Sequence, residues 1–229
     1  MDIEELRTQL QAAGRYLLEN ELAWGNAGNI SARLDGPGCL ITASGTYLGG
    51  LGNDDFAACI WGDGEARVTG RKPSKELPMH RAIYEMRPEI NAVLHASPFY
   101  STLAACAHFE LPGNWFVEDM YYLERTARVP YFHPGSQALG EAVRERAGQA
   151  NILLLENHGV LVCDTSLREA LMGLHTLEMV CRMLVTARSA GIEMKTLAPQ
   201  VVADFLERSG YRPRREWALA QDRDGGSQP

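Results

Sequence analysis

Leu153-Leu154-Leu155-Glu156-Asn157-His158-Gly159 carries an apolar run into a polar turn, and Val160-Leu161-Val162-Cys163 leaves it as a second apolar run. The pattern predicts two short buried strands, 151–156 and 160–163, joined at Asn157-His158-Gly159. Another apolar run, Ala92-Val93-Leu94-His95, also ends on a histidine and predicts strand 91–95. A third segment, Arg71-Lys72-Pro73-Ser74-Lys75-Glu76, sets a carboxylate just after a Pro-Ser pair. That pair predicts a helix with Ser74 as its N-cap, ending near Arg87-Pro88. Taken singly, Glu76, His95 and His158 are ordinary polar residues at the ends of elements. Two imidazoles and a carboxylate so placed together suit a divalent metal with an acid/base beside it.

Outward from these segments, Ile3, Leu6, Leu10, Ala13 and Leu17 recur at helical spacing and predict an amphipathic helix over 3–20. Trp24 to Ser31 reads as a loop of small residues, and strands are expected at 39–42, 57–61 and 65–68 between glycine turns. Pro98 can open a helix, Ser136 caps one over 136–147, and Ser166-Leu167-Arg168-Glu169 forms a capping box ahead of a long helix to about Arg188. A last helix is expected near 199–209. The reading is one α/β domain over 1–211 and a polar, disordered tail over 212–229.

With 229 residues, 45% of them hydrophobic and 22% charged, the chain can bury a substantial core. A formal net charge of -7 gives no general attraction for nucleic acid. The five cysteines form no CxxC pair and read as small core residues. No signal region opens the chain and no stretch reaches the length of a membrane span, so it is expected in the cytoplasm, away from membranes.

Side chains two apart on a strand share a face, so a His-x-His end would give one metal two ligands. Here the second position is Ser97, a poor ligand. The third must come from Glu76, from water or from another histidine. His80, His108, His133 and His175 are read as structural or exposed. Glu76, in the first turn of its helix, could coordinate in the empty site and shuttle a proton once substrate displaces it. Gly28-Asn29, Ser44-Gly45 and Ser74-Lys75 occupy turns or a helix start, where free N–H groups bind anions, with Lys75 adding charge. Turn chemistry alone would also place glycine, serine and asparagine there.

Several segments together resemble the class II aldolase/adducin family. They are Gly28-Asn29-Ile30-Ser31, Leu40-Ile41-Thr42-Ala43-Ser44-Gly45, Lys72-Pro73-Ser74-Lys75-Glu76 with Met79-His80-Arg81-Ala82-Ile83-Tyr84, and Arg87-Pro88-Glu89-Ile90-Asn91-Ala92-Val93-Leu94-His95. Val129-Pro130-Tyr131, Pro134-Gly135-Ser136 and Asn157-His158-Gly159 complete the series. The resemblance runs from about residue 5 to about 190. It implies a three-layer α/β/α sandwich around a mostly antiparallel central sheet, assembled as a homotetramer. It also implies a divalent metal on His95 and His158, zinc first, with manganese, cobalt or iron as alternatives. Glu76 becomes the acid/base, and a substrate phosphate is expected near Gly28, Asn29, Ser44, Gly45, Ser74 and Lys75. Ser97 departs from the family's second metal histidine, and Lys75 from a small hydroxyl residue. The tyrosine that some family aldolases borrow from a neighbouring subunit would be Tyr121 or Tyr122, though Phe116 fits the spacing as well.

Three functions follow. The first is a metal-dependent lyase, an aldolase cleaving a phosphorylated ketose. The second is a decarboxylase of a hydroxy or keto acid, which needs the same enolate stabilisation. The third is a non-catalytic, adducin-like assembly domain. The substrate of either enzyme is a small anion, a sugar phosphate or a keto acid. A 4-epimerase ranks below these, because the family's epimerases carry Asp where this chain has Glu76.

Overall fold

A computed structural model describes residues 2–62, 67–210, 215 and 217. Eight strands form one sheet: β1 Asn29–Arg33, β2 Gly38–Thr42, β3 Phe56–Ile60, β4 Arg67–Gly70, β5 Ala92–Ala96, β6 Thr126–Val129, β7 Ile152–Leu155 and β8 Gly159–Asp164. Their spatial order is β4-β3-β2-β1-β5-β8-β7-β6. Every pairing is antiparallel except β6 with β7. The helices are α1 Ile3–Glu19, α2 Leu77–Met86, α3 Phe99–Cys106, α4 Val117–Tyr122, α5 Gln137–Ala147, α6 Leu167–Ala190 and α7 Pro199–Arg208.

Strand alternation builds two cores, one per face. Ile30, Leu40, Leu94, Ile152 and Val162 join α1, α3, α4 and α6. Ile41, Val93, Leu153, Leu161 and Cys163 join α2 and α5. This is the α/β/α sandwich with the mostly antiparallel sheet that the segments implied.

Several local expectations are corrected. Asn29 to Ser31 is not loop but the start of β1, a central strand. β6, at the sheet edge, had no counterpart in the sequence reading. The fourth expected strand lies at Arg67–Gly70; residues 65 and 66 fall outside the described residues. Helix α2 begins at Leu77, so Glu76 precedes it and Ser74 caps no helix. Ser166 Oγ does accept from Glu169 N, but Glu169 Oε2 accepts from Tyr122 OH instead of closing the capping box. Helix α6, at 24 residues, is long and apolar enough to pass for a membrane span by length and composition. Its Leu174, Leu177, Val180 and Cys181 nevertheless belong to the core. Of the expected tail over 212–229 only Arg215, which is buried, and Trp217, whose Nε1 donates to Glu124, are among the described residues; the rest of that expectation lies outside them.

Candidate metal and acid-base site

The face of the sheet under α2 is apolar except along β1, where Asn29, Ser31 and Arg33 meet it, and at His95 beside Asn29. There β1 and β5 pair with Asn29 opposite His95. Both are buried, as is Glu76 in the turn before α2. Ser74 Oγ accepts from Glu76 N at 3.3 Å and Ser74 O accepts from Leu77 N at 3.1 Å, which shapes that turn. His158 sits between β7 and β8, where Asn157 takes a left-handed conformation at φ 54°. Gly159 follows at φ 152°, and a Cβ there would stand 2.7 Å from Ala96 O. Only glycine allows this close approach, which brings the His158 turn against the end of β5.

The three residues converge. Their nearest ligand atoms lie within 4.8 Å of one another. His158 Nε2 stands 3.0 Å from Glu76 Oε1, and His95 Nε2 stands 3.3 Å from Glu76 Oε2. Tetrahedral ligand atoms about 2.0–2.1 Å from zinc are roughly 3.4 Å apart, so these separations suit one ion. The protonation pattern points the same way. His95 Nδ1 lies 3.0 Å from Val160 O, a group that can only accept, so Nδ1 carries the hydrogen. Burial pushes the His95 pKa down, which favours the neutral ring. Its Nε2 lone pair therefore faces a carboxylate oxygen. Burial alone would raise Glu76, but the neighbouring His158 and His95 rings and the Asn29 hydrogen bond outweigh it and bring Glu76 to about 2. Two electron-rich atoms facing each other in a buried site call for a cation between them. Despite the 3.0 Å approach of His158, Glu76 Oε1 lacks an aligned hydrogen-bond partner, and so does His158 Nδ1. Close contact without alignment is what convergence on a third point produces. The donor set thus fits a divalent metal, with Glu76 placed where it could serve as the third ligand that Ser97 leaves open.

These residues open onto a cleft of about 520 Å³. Gly28, Asn29, Ser44, Gly45, Ser74 and Lys75 all line it, together with Glu76, His95, Ser97 and His158. The expected anion-binding groups are thus gathered beside the metal ligands, with one correction. The Ser44 and Ser74 N–H groups are spent on Lys72 O and Thr42 O. The hydroxyls, the Lys75 ammonium and the N–H groups of Gly28, Gly45 and Lys75 could meet an anion there. The Asn29 side chain is also engaged: Nδ2 donates to Glu76 Oε2 at 2.7 Å.

Three residues of this region were not anticipated. Trp24 lines the cleft and donates from Nε1 to Ser97 O at 3.0 Å. Ser31 and His80 form a buried continuation of the Asn29 contact. His80 is no metal ligand, and its position four residues after Glu76 was the available signal. The remaining histidines stand apart, with His175 bonded to Tyr16, His133 to Tyr131, and His108 exposed. Tyr121 and Tyr122 are buried in their own chain's core, so neither is free to reach a neighbour's site in this conformation.

The family model described as Class II Aldolase and Adducin N-terminal domain matches residues 8–185. A 3-oxo-tetronate 4-phosphate decarboxylase of Haemophilus influenzae is 34% identical over 90% of this chain and 96% of its own length. An L-fuculose phosphate aldolase of Escherichia coli is 28% identical over 80% of this chain and 84% of its own. Among solved structures, YgbL from Klebsiella pneumoniae superposes with a TM-score of 0.80 at 30% identity, covering 89% of this chain and 99% of that one.

Proposed function

The chain belongs to the class II aldolase and adducin family, and on that premise we propose that it is a metal-dependent decarboxylase of a phosphorylated 3-oxo sugar acid. The observation that carries this reading is the 34% identity to a 3-oxo-tetronate 4-phosphate decarboxylase over 96% of that protein's length. The likeness to the fuculose-phosphate aldolase is lower, at 28%. This reverses the order of the two enzymatic readings that the sequence suggested. The cleft supports the change. A keto acid phosphate carries two anionic groups where a ketose phosphate carries one. Exposed Lys75, at the mouth beside Ser74 and Ser44, offers a cation that a small hydroxyl residue would not.

A divalent metal held by His95, His158 and Glu76, with zinc as the first choice, would supply Lewis-acid polarisation of the 3-oxo group. The residues of the chain do the rest. Ser44, Ser74 and Lys75 bind the anionic end and fix the orientation of the carboxylate to be lost. As the C–C bond to the carboxylate breaks, CO2 leaves and the electron pair remains as an enediolate, which takes up one proton on carbon. Glu76, a carboxylate in the free site, would take this proton from solvent water and pass it to the carbon. Its Oε1 lies 3.0 Å from His158 Nε2 without an aligned hydrogen-bond partner, while Oε2 is anchored by Asn29. Decarboxylation needs only this delivery, whereas aldol cleavage first removes a hydroxyl proton. The convergence of Glu76, His95 and His158 argues against the non-catalytic, assembly-domain reading.

The test is CO2 release from 3-oxo-tetronate 4-phosphate by zinc-loaded protein, beside aldehyde release from L-fuculose 1-phosphate. CO2 with no aldehyde is expected; aldehyde alone would restore the aldolase reading. A homotetramer is part of the same proposal, and light scattering should give the mass of four 25.3 kDa chains.

A further inference from the structure

Behind Glu76 runs a buried chain of polar side chains that starts at Asn29, on the cleft lining, and leads away from the cleft. Asn29 Nδ2 donates to Glu76 Oε2 at 2.7 Å, and Asn29 Oδ1 lies 2.7 Å from His80 Nε2. His80 Nδ1 lies 2.7 Å from Ser31 Oγ, which lies 2.9 Å from Tyr84 OH. His80 and Ser31 are fully buried.

The direction of every bond in this chain follows from its first member. A carboxylate only accepts, so Asn29 must turn its NH2 toward Glu76 and its carbonyl toward His80. That carbonyl also only accepts, so His80 Nε2 carries the ring hydrogen and Nδ1 is the acceptor. Ser31 then donates to His80, and Tyr84 donates to Ser31. Burial holds His80 neutral, with its pKa lowered to about 3, as a single-donor, single-acceptor ring in this series requires. Four side chains from β1 and α2 are thus arranged so that their hydrogens point toward one oxygen of Glu76. Burying five polar groups in a two-layer interface is costly unless all are paired. Apolar residues would pack this interface without that cost. Helix–sheet packing alone does not call for a chain that ends on Glu76.

We propose that His80 is a positioning residue for Glu76. Its Nε2–H locks the Asn29 amide with NH2 toward Oε2, which fixes the carboxylate plane and holds Oε1 toward His158. Without that donor the amide is free to flip and present its carbonyl to a carboxylate, a repulsive contact that would turn Glu76 out of register with His95 and His158. The inference rests on the proposed role of Glu76, so two of its tests are independent of turnover.

The first test is the tautomer of His80 by long-range nitrogen–proton correlation in the intact, metal-free protein. The Nε2–H form is expected; the Nδ1–H form would reverse the chain and overturn the proposal. The second is zinc titration of wild type, His80→Leu and His80→Gln. Leu should weaken zinc binding roughly tenfold, the scale for losing an orienting partner behind a ligand. Gln, which can place an amide N–H near the same point, should restore most of it. Equal affinity in all three variants would sink the idea, and so would Gln behaving as Leu. If His80→Leu does not fold, the tautomer and the wild-type-to-Gln comparison still decide. With 3-oxo-tetronate 4-phosphate as substrate, His80→Leu should lower kcat about tenfold or more and leave KM within about threefold. In a Glu76→Gln background it should have no further effect. Full turnover by Glu76→Gln would remove the acid/base reading and leave the zinc and tautomer results standing. A damaged Glu76→Gln beside an unaffected His80→Leu would remove the positioning role alone.

Discussion

The β5–β8 pair holds a buried carboxylate at each end, and the two differ in how their oxygens are spent. At the far end Asp164 Oδ2 accepts from Arg215 Nε at 3.1 Å and Nη2 at 2.7 Å, and Oδ1 accepts from Thr165 N at 2.8 Å. Arg215 Nη1 donates to Tyr121 O at 2.8 Å, and the guanidinium lies 4.5 Å from the Tyr121 ring centroid. Both side chains are wholly buried and both are matched. At the cleft end Glu76 is anchored on one oxygen only. The other approaches a histidine without a hydrogen bond, and a second histidine presents a lone pair. Burial of charge is common to the two ends, so burial does not mark the site. What marks it is bonding capacity that the fold orients and leaves unused. One end is closed by its own partners; the other gathers donor atoms that a cation could share.

If the ends differ in this way, the same kind of damage should have opposite consequences. Arg215→Met would strand Asp164 as an unpaired buried charge. Loss of one partner of such a pair costs on the order of 3–5 kcal/mol, roughly 10 °C in Tm for a domain of this size. Zinc affinity should stay within about twofold. A Tm shift of only a degree or two in calorimetry would mean that Arg215 does not hold this end. Glu76→Gln should do the reverse. Tm should move by no more than about 2 °C, because shape and the Asn29 neighbour are kept. Decarboxylation should fall about a hundredfold or more, the usual scale for losing acid–base help. Full activity in the Gln variant would make the cleft end as structural as the far one.

The same contrast explains what could be read in the sequence. Long periodic helices such as α1 and α6, and apolar runs such as β5, β7 and β8, announce themselves because each buries a repeated apolar face. His95 and His158 were legible because they end such runs. Strand β1 was not, because on the α2 face its residues are Asn29 and Ser31. Polar residues in a short small-residue stretch read as turn, and only the tertiary partners His80, Tyr84 and Glu76 make them strand interior. His80 was passed over for a related reason. Helical spacing placed it near Glu76, but its two hydrogen-bond partners lie on β1, some fifty positions away in the chain. Asp164 and Arg215 are likewise joined by a return of the chain that no local pattern encodes. Edge strand β6 is short and half-exposed, with too little alternation to register.

Acid should weaken the protein chiefly through the cleft end. His80 has a folded pKa of about 3 against an ordinary value of 6.5, and that of His95 is lowered as well. Groups with depressed folded values bind more protons when unfolded, so their contribution is fully present above about pH 6.5 and is lost as pH falls. For His80 alone the loss between pH 6.5 and 4.5 comes to about 2–3 kcal/mol, at 1.36 kcal/mol per pKa unit. Chemical denaturation of metal-free protein at several pH values should show this slope. His80→Leu, which has no ring to protonate, should flatten most of it. An unchanged slope in that variant would place the acid-sensitive group elsewhere.

The smallest effect is expected at Ser97, where the cleft end could be made more like a filled site. Ser97 Oγ and His95 Cε1 both approach Gly159: they stand 2.8 Å and 3.4 Å from the point its Cβ would occupy. Trp24 holds the Ser97 carbonyl, so the backbone there is fixed independently of the side chain. An imidazole at this position would share the face of His95, two residues earlier along the extended chain. It would give the metal a fourth protein ligand in place of water. Ser97→His should therefore tighten zinc about tenfold, or 1.4 kcal/mol, in titration against a competing chelator. Turnover should fall at the same time, because the position given to the imidazole is the one that substrate oxygen would use. Tighter zinc with reduced turnover would mean that Ser97 keeps a coordination position open in the wild type. Unchanged affinity in a folded variant would mean that Glu76, His95 and His158 already leave no room for a fourth protein ligand.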